Sequence, residues 1–181
     1  MYKDIEKVLV SKEEIEQMTA ALGEQISKDY EGKELVVISA LKGGAIFTSD
    51  LIRKIRIPLE VDFIAVSSYG NGTESSGVVK IKKDTDISFE NKHVLIVEDI
   101  VDSGNTLSCL KKLFAERNAL SVKICTAFDK PERREAKDLV VEYVGKVIEN
   151  EFVVGYGLDY QEKMRNLPEL CVLKRSVYEK N

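Results

Sequence analysis

The run VLIVEDIVDSGNT, Val94 to Thr106, begins as four apolar residues suited to a buried strand, turns acidic at Glu98 and Asp99, and breaks at Asp102 into Ser103-Gly104-Asn105-Thr106. TLSCLKKLFAE follows at once, with Leu107, Leu110 and Leu113 or Phe114 at helical spacing. Strand, polar loop and helix form the unit of parallel α/β sheets, whose ligands gather where strands end and helices begin. Asp102–Thr106 therefore has two readings. Ser, Asn and Thr commonly cap helices, so the loop is an ordinary helix start. Equally, Gly104 permits close backbone approach, the hydroxyls donate, and the first helical turn carries positive partial charge, which makes an anion seat. Neighbouring residues on an extended strand face opposite ways, so Glu98 and Asp99 need not act together. Acids beside an anion seat make sense if something neutral or positive lies between: sugar hydroxyls, a metal ion or a developing carbocation.

The alternation of elements continues on both sides. Ser11 and Glu14 form a capping-box signature ahead of Ile15, Met18, Leu22 and Ile26, predicting a helix over 11–29. Leu35–Leu41 is a short strand that breaks at Lys42-Gly43-Gly44 into a helical pattern up to Pro58. LEVDFIAVSSY reads as another strand, and Gly70–Gly77, GNGTESSG, holds no packing residue and is expected to be mobile. VVKIKK resumes extended structure, SVKICTAF is a further strand, and strand signals return at Val140–Val144 and Phe152–Tyr156. The expectation is one α/β domain spanning 1–181, with a mostly parallel sheet flanked by helices. Its core covers roughly 30–140, and the segments at roughly 1–12 and 145–181 build a small hood.

The 181 residues are enough for one sizeable core. With 27 Lys+Arg against 31 Asp+Glu, the net charge of -4 offers no general attraction for a polyanion, so no nucleic-acid partner is expected. Cys109, Cys125 and Cys171 stand far apart in apolar stretches and read as buried thiols of a reducing compartment, not a disulfide framework or zinc site. No stretch approaches the roughly 18 apolar residues of a membrane span, and the first residues lack a signal peptide's apolar run. A cytoplasmic protein with no membrane partner is expected. Gly72 and Gly77 have P-loop spacing, but Val78-Val79 stand where Lys and Ser/Thr are required, and no G-x-G-x-x-G occurs. His93, the one histidine, opens the central strand and reads as structural, which leaves a Ser-His-Asp hydrolase without support.

Val94–Thr106 resembles the phosphoribosyl-diphosphate signature of type I phosphoribosyltransferases, and an aspartate at 102 resembles the 6-oxopurine branch, the hypoxanthine-guanine phosphoribosyltransferases. LKGG at Leu41–Gly44, SSY at Ser67–Tyr69, FDK at Phe128–Lys130 and FVVGYGLD at Phe152–Asp159 match that branch in order, so the resemblance spans nearly the whole chain. It implies the type I fold, a homodimer or homotetramer, and magnesium-dependent transfer of a phosphoribosyl group to hypoxanthine or guanine. It further implies that Asp102, Ser103, Gly104, Asn105 and Thr106 bind the 5-phosphate, and that Glu98 and Asp99 hold ribose hydroxyls directly or through magnesium. Lys42, Gly43 and Arg165 would meet the pyrophosphate, with a cis peptide often found between the residues matching Leu41 and Lys42. Phe152 would face the purine, Lys130 donate to its 6-oxygen, and main chain near Val153 and Asp159 read its edge. The Asp159 carboxylate would reach a second magnesium through water, and Asp102 would act as general base. Taken alone, Phe152 reads as core filler, Lys130 within KPERRE as a solvated lysine, and Arg165 as a helix-surface charge.

Two rivals stand beside this reading. One is a transferase preferring xanthine, because base choice rests on a few groups. The other is a regulator on the same fold that binds nucleotide and RNA, against which the acidic balance and the intact Asp102 and Lys130 argue. Gly157 and Asn105 stand where some relatives carry alanine and lysine, a difference expected to tune phosphate affinity. Ser68 and Tyr69 are expected to open a lid that excludes water from the sugar. Deleting Gly70–Gly77 is then expected to raise diphosphate hydrolysis relative to transfer, read as pyrophosphate release with and without purine.

Overall fold

The computed structural model describes residues 2–68 and 79–179. Ser11 and Glu14 form the capping box: Glu14 N donates to Ser11 Oγ at 3.2 Å and Ser11 N to Glu14 Oε2 at 2.8 Å. They start α1, Lys12–Asp29, which follows β1, Ile5–Val10. Next come β2 (Leu35–Leu41), α2 (Gly44–Ile52), β3 (Glu60–Ser68), β4 (Val79–Lys83), β5 (His93–Val101), α3 (Asn105–Glu116) and β6 (Ser121–Asp129). The chain continues through β7 (Tyr143–Val147), β8 (Val153–Val154), β9 (Leu170–Leu173) and α4 (Arg175–Tyr178). The main sheet runs β4-β3-β2-β5-β6-β7, parallel throughout except for β4 against β3.

The pleat sorts the central strands into two cores. Val36, Ile38, Val94 and Ile96 join Leu107, Leu110 and Phe114 of α3 on one face. Leu35, Val37, Leu95 and Val97 join Ile15, Leu22 and Ile26 of α1 and Phe47 and Leu51 of α2 on the other. Burial on both faces explains why β2 and β5 read as unbroken apolar runs instead of alternating ones. Burying each such side chain contributes about 1.5–3 kcal/mol. A second, antiparallel sheet, β1-β9-β8, contributes Val154, Cys171 and Leu173 to a small cluster with Leu167. It brings an early and a late segment together, and the loop after β8 meets the turn after β2 where Gly157 comes against Gly43.

Several elements differ from the sequence reading. β5 continues past Glu98, because Ile100 and Val101 still pair with Phe128 and Asp129 of β6. β7 begins at Tyr143, later than the expected Val140: Val140 is exposed, and the Glu142 carboxylate takes the Ile124 amide at 2.8 Å before the ladder starts. β1 and β9 carry weak local signals, and their pairing has two register shifts. Tyr69 and Gly70–Gly77 lie outside the described residues, and with them the expected lid; at its near end Ser68 pairs with Val79. His93 is half-buried, its Nδ1 sharing a 2.7 Å hydrogen bond with Ser121 Oγ. Cys125 and Cys171 are buried thiols whose pKa burial raises, and Cys109 is half-buried.

Glu14 also joins α1 to β7 through Lys146 Nζ at 2.6 Å. Lys146 and the Ser11 amide hold its carboxyl down to about 2. A folded value below the unfolded one means stabilisation that is complete above the ordinary glutamate range and lost as pH falls toward that value. Glu14→Gln is therefore expected to lower Tm at pH 7, and the gap to the parent to close between roughly pH 5 and pH 2 in thermal melts.

Candidate active site

β5 delivers Glu98 and Asp99 to a cavity of about 240 Å³ whose wall continues through Leu41, Asp102, Ser103 and Thr106. Although adjacent strand residues diverge, these two interact. Asp99 N donates to Glu98 Oε1 at 3.0 Å, and Ile100 N to Asp99 Oδ1 at 2.7 Å. Burial, then the Asp99 charge, push the Glu98 carboxyl well above the ordinary range. Burial also raises Asp99, against the pull of its hydrogen bonds and of Arg165. Two desolvated neighbouring carboxylates suit a divalent cation. Among the described residues no three His, Cys, Asp or Glu side chains converge as a ready cage. A cation held by this pair would complete its shell with substrate oxygens and water.

α3 starts from Gly104, whose φ of 79° favours glycine and where a Cβ would meet Leu139 and Arg134 at 2.8 and 2.9 Å. No side chain caps this turn in the usual way. Asn105 N makes a long, 3.4 Å bond to Ser103 Oγ, and the amides that follow it in the first turn are left for an anion beside Ser103 and Thr106. Asn105 contributes only its backbone to this loop, because its side chain donates to Glu135 Oε2 at 2.6 Å.

The Leu41–Lys42 peptide is cis. Immediately after it, Gly43 lies so close to Asp99 that a Cβ would stand 1.6 Å from Oδ2. Gly157, with φ 103°, closes on Gly43 in turn: its Cβ would fall 2.2 Å from the Gly43 carbonyl oxygen. Arg165 secures this junction, donating to Gly157 O at 2.7 Å and pairing with Asp159 Oδ1 at 2.7 Å. Its Nε is buried without a hydrogen-bond partner. It stands in the turn-rich segment before β9, not on a helix surface. Lys42 Nζ pairs with Glu162 at 2.7 Å and draws that carboxyl below its ordinary range, while Asp159 Oδ2 accepts the Glu162 amide at 2.8 Å. Glu162 is a residue the sequence did not single out.

A second cavity, about 500 Å³, is walled by Ile100, Asp102, Lys130, Arg133, Phe152, Val153 and Tyr178. Lys130 is not a solvated surface lysine: only 7% of it is exposed, and Nζ donates to the Glu151 carbonyl at 2.7 Å. Burial lowers its pKa, with Asp102 opposing. Nor is Phe152 core filler, since 39% of it is exposed. Its ring stacks on Tyr178, centroids 4.7 Å apart, and Tyr160 meets it at 84°. Arg133 Nε lies 2.8 Å from Asp102 Oδ1, an ion pair without hydrogen-bond alignment. Arg134 Nε donates to the Asp102 carbonyl at 3.3 Å. Both arginines, hidden in KPERRE, escaped the sequence reading. Ile100 and Asp102 line both cavities. A larger one, about 590 Å³, beside α1 and α2 contains Arg165 as its one candidate site residue from sequence.

Residues 7–161 match the phosphoribosyl transferase domain, and the chain belongs to that family. Within the family it is 51% identical over 178 residues to the hypoxanthine-guanine phosphoribosyltransferase of Staphylococcus aureus, covering 98% of this chain and 99% of the relative. A solved hypoxanthine phosphoribosyltransferase from Staphylococcus aureus superposes with a TM-score of 0.96 at 50% identity, covering 99% of this chain and 97% of that one. A hypoxanthine-guanine phosphoribosyltransferase from Bacillus anthracis gives 0.90 at 48% identity, covering 94% and 99%. The α/β fold and the 6-oxopurine branch expected from sequence are borne out. No helix among the described residues is long and apolar enough to cross a membrane.

The junction of Gly157 with Gly43 is directly testable. An alanine at 157 meets both a positive φ and a backbone oxygen, so Gly157→Ala is expected to cost about 1–2 kcal/mol or more. That corresponds to a loss in Tm of at least roughly 2–8 °C by calorimetry.

Proposed function

We propose that the protein transfers the 5-phosphoribosyl group of phosphoribosyl diphosphate to nitrogen 9 of hypoxanthine or guanine, reversibly, forming the nucleotide and pyrophosphate. The observation that carries this reading is the position of Asp102, common to a cavity of acids and helix amides and to one of a buried lysine and an open aromatic ring. Similarity to hypoxanthine-guanine phosphoribosyltransferases supports the choice of bases.

In this reading the first-turn amides of α3 and the hydroxyls of Ser103 and Thr106 hold the 5-phosphate. Glu98 and Asp99 accept from the ribose hydroxyls. The pyrophosphate meets Lys42, the Gly43 amide and Arg165, whose Nε is without another partner. Phe152 offers the purine a flat face, and backbone at Val153 and Asp159 reads its edge. Lys130, a pure donor, favours a 6-oxygen over the 6-amino group of adenine. As the bond to pyrophosphate breaks and that to nitrogen 9 forms, the anomeric carbon becomes cationic beside carboxylate oxygens. Asp102 takes the ring proton, on the nitrogen 7 side, once Arg133 has withdrawn from Oδ1. Magnesium, when bound, supplies positive charge for the departing pyrophosphate. Glu98 and Asp99 would hold one ion and Asp159, through water, a second. The family resemblance further carries a cytoplasmic location and a homodimeric or homotetrameric assembly.

Purified protein with phosphoribosyl diphosphate and magnesium is expected to turn over hypoxanthine and guanine, with xanthine and adenine as comparison bases in separate assays. Preference for xanthine would move the protein to the rival specificity. Asp102→Asn is expected to reduce turnover about 10²–10⁴-fold; unchanged turnover would remove Asp102 from the proton transfer.

A further inference from the structure

The four-residue helix α4 buries none of its own residues, yet it is firmly placed. Lys174 N donates to Asp4 O at 3.0 Å, and Lys174 Nζ to Lys3 O at 2.7 Å. Tyr160 Oη donates to Val177 O at 3.1 Å, and Val177 packs on the hood cluster. The last residue of the helix, Tyr178, lies nearly parallel to Phe152, with 21° between the planes, on the wall of the larger of the two cavities that share Asp102. Tyr160, which anchors α4, also sets its own ring at 84° to Phe152, centroids 5.8 Å apart. One phenol thus packs on Phe152 while holding the helix that brings the other. Phe152 itself keeps 39% exposure, so stacking leaves part of its surface open. A half-exposed phenylalanine left alone turns through many orientations; one clasped between two rings presents a fixed plane.

We propose that Tyr178 is a positioning residue for the purine: stacked on Phe152, it fixes the plane against which the base lies. It thereby sets base affinity without meeting the diphosphate. The inference rests on the purine-binding reading of this cavity. Removing the prop loses preorganisation of one aromatic stack, an effect of about 3–10-fold on base affinity.

The test is steady-state kinetics of Tyr178→Ala, Tyr178→Leu and Tyr178→Phe, varying hypoxanthine, guanine and phosphoribosyl diphosphate in turn, with thermal melts alongside. The alanine and leucine variants are expected to raise KM for both bases about 3–10-fold. KM for the diphosphate should stay within about twofold, and the phenylalanine variant should recover parental values. Parental base KM in the alanine variant, equal loss for both substrates, or a phenylalanine variant as weak as alanine would each overturn the proposal. So would tighter base binding in the alanine variant, which would mean that Tyr178 occupies the base's own place. Should alanine prevent folding, equal base KM in the leucine and phenylalanine variants overturns it instead. A parent inactive on both purines refutes the proposed function and this inference with it, whereas an active parent with unmoved KM refutes this inference alone.

Discussion

Three stretches of chain meet where an added Cβ would force a shift: Gly157 against Gly43, and Gly43 against the carboxylate of Asp99. The contact joins the end of a central strand, the turn after its neighbour, and a loop of the hood. It sets how near the Gly43 amide comes to the acids, and how far the hood leans over the sheet. Arg165 reinforces it from outside by holding the Gly157 carbonyl and Asp159 at once. A methyl group at either glycine would push Asp99 aside or lift the hood, so these two positions govern the geometry of both cavities.

Around that contact, the cations assigned to substrate anions already have protein partners. Lys42 pairs with Glu162 and Arg165 with Asp159. Lys42 and Glu162 are about two-thirds exposed, at 68% and 65%, so their attraction is screened and a phosphate displaces it at little cost. Arg165, 24% exposed, is held more tightly, and its buried Nε has no hydrogen-bond partner. The acids face the opposite problem. Glu98 and Asp99 repel one another where water is scarce, and a cation or a sugar hydroxyl relieves them. The site thus sets ion-paired cations on one side and a mutually repelling acid pair on the other.

What was legible in the sequence is what local chemistry decides. The capping box at Ser11, the apolar core of β5 and the helix after Gly104 follow from period and turn residues within a few positions, and the structure has them. The ends of β5 and β7 and the pairing of β1 with β9 were not legible, because their partners lie far along the chain. The same division runs through the site. The acids, the Asp102–Thr106 loop and the LKGG turn are contiguous motifs. Lys130 reads as solvent-facing until the Glu151 carbonyl is placed against its amine. Arg133 sits in an ordinary charged run, and Glu162 and Tyr178 acquire meaning only from neighbours that folding brings.

The hood sheet has β9 at its centre, between β1 and β8. On a translating ribosome the main sheet can assemble as its strands leave the tunnel, while β1 hangs as an unpaired edge until β9 is made. The stretch from β9 onward is therefore the one that brings Tyr178 to Phe152. A message cut short upstream of β9 would yield a fragment that keeps the Asp102–Thr106 loop and Phe152 but lacks Tyr178, trailing a sticky strand for chaperones and proteases to find.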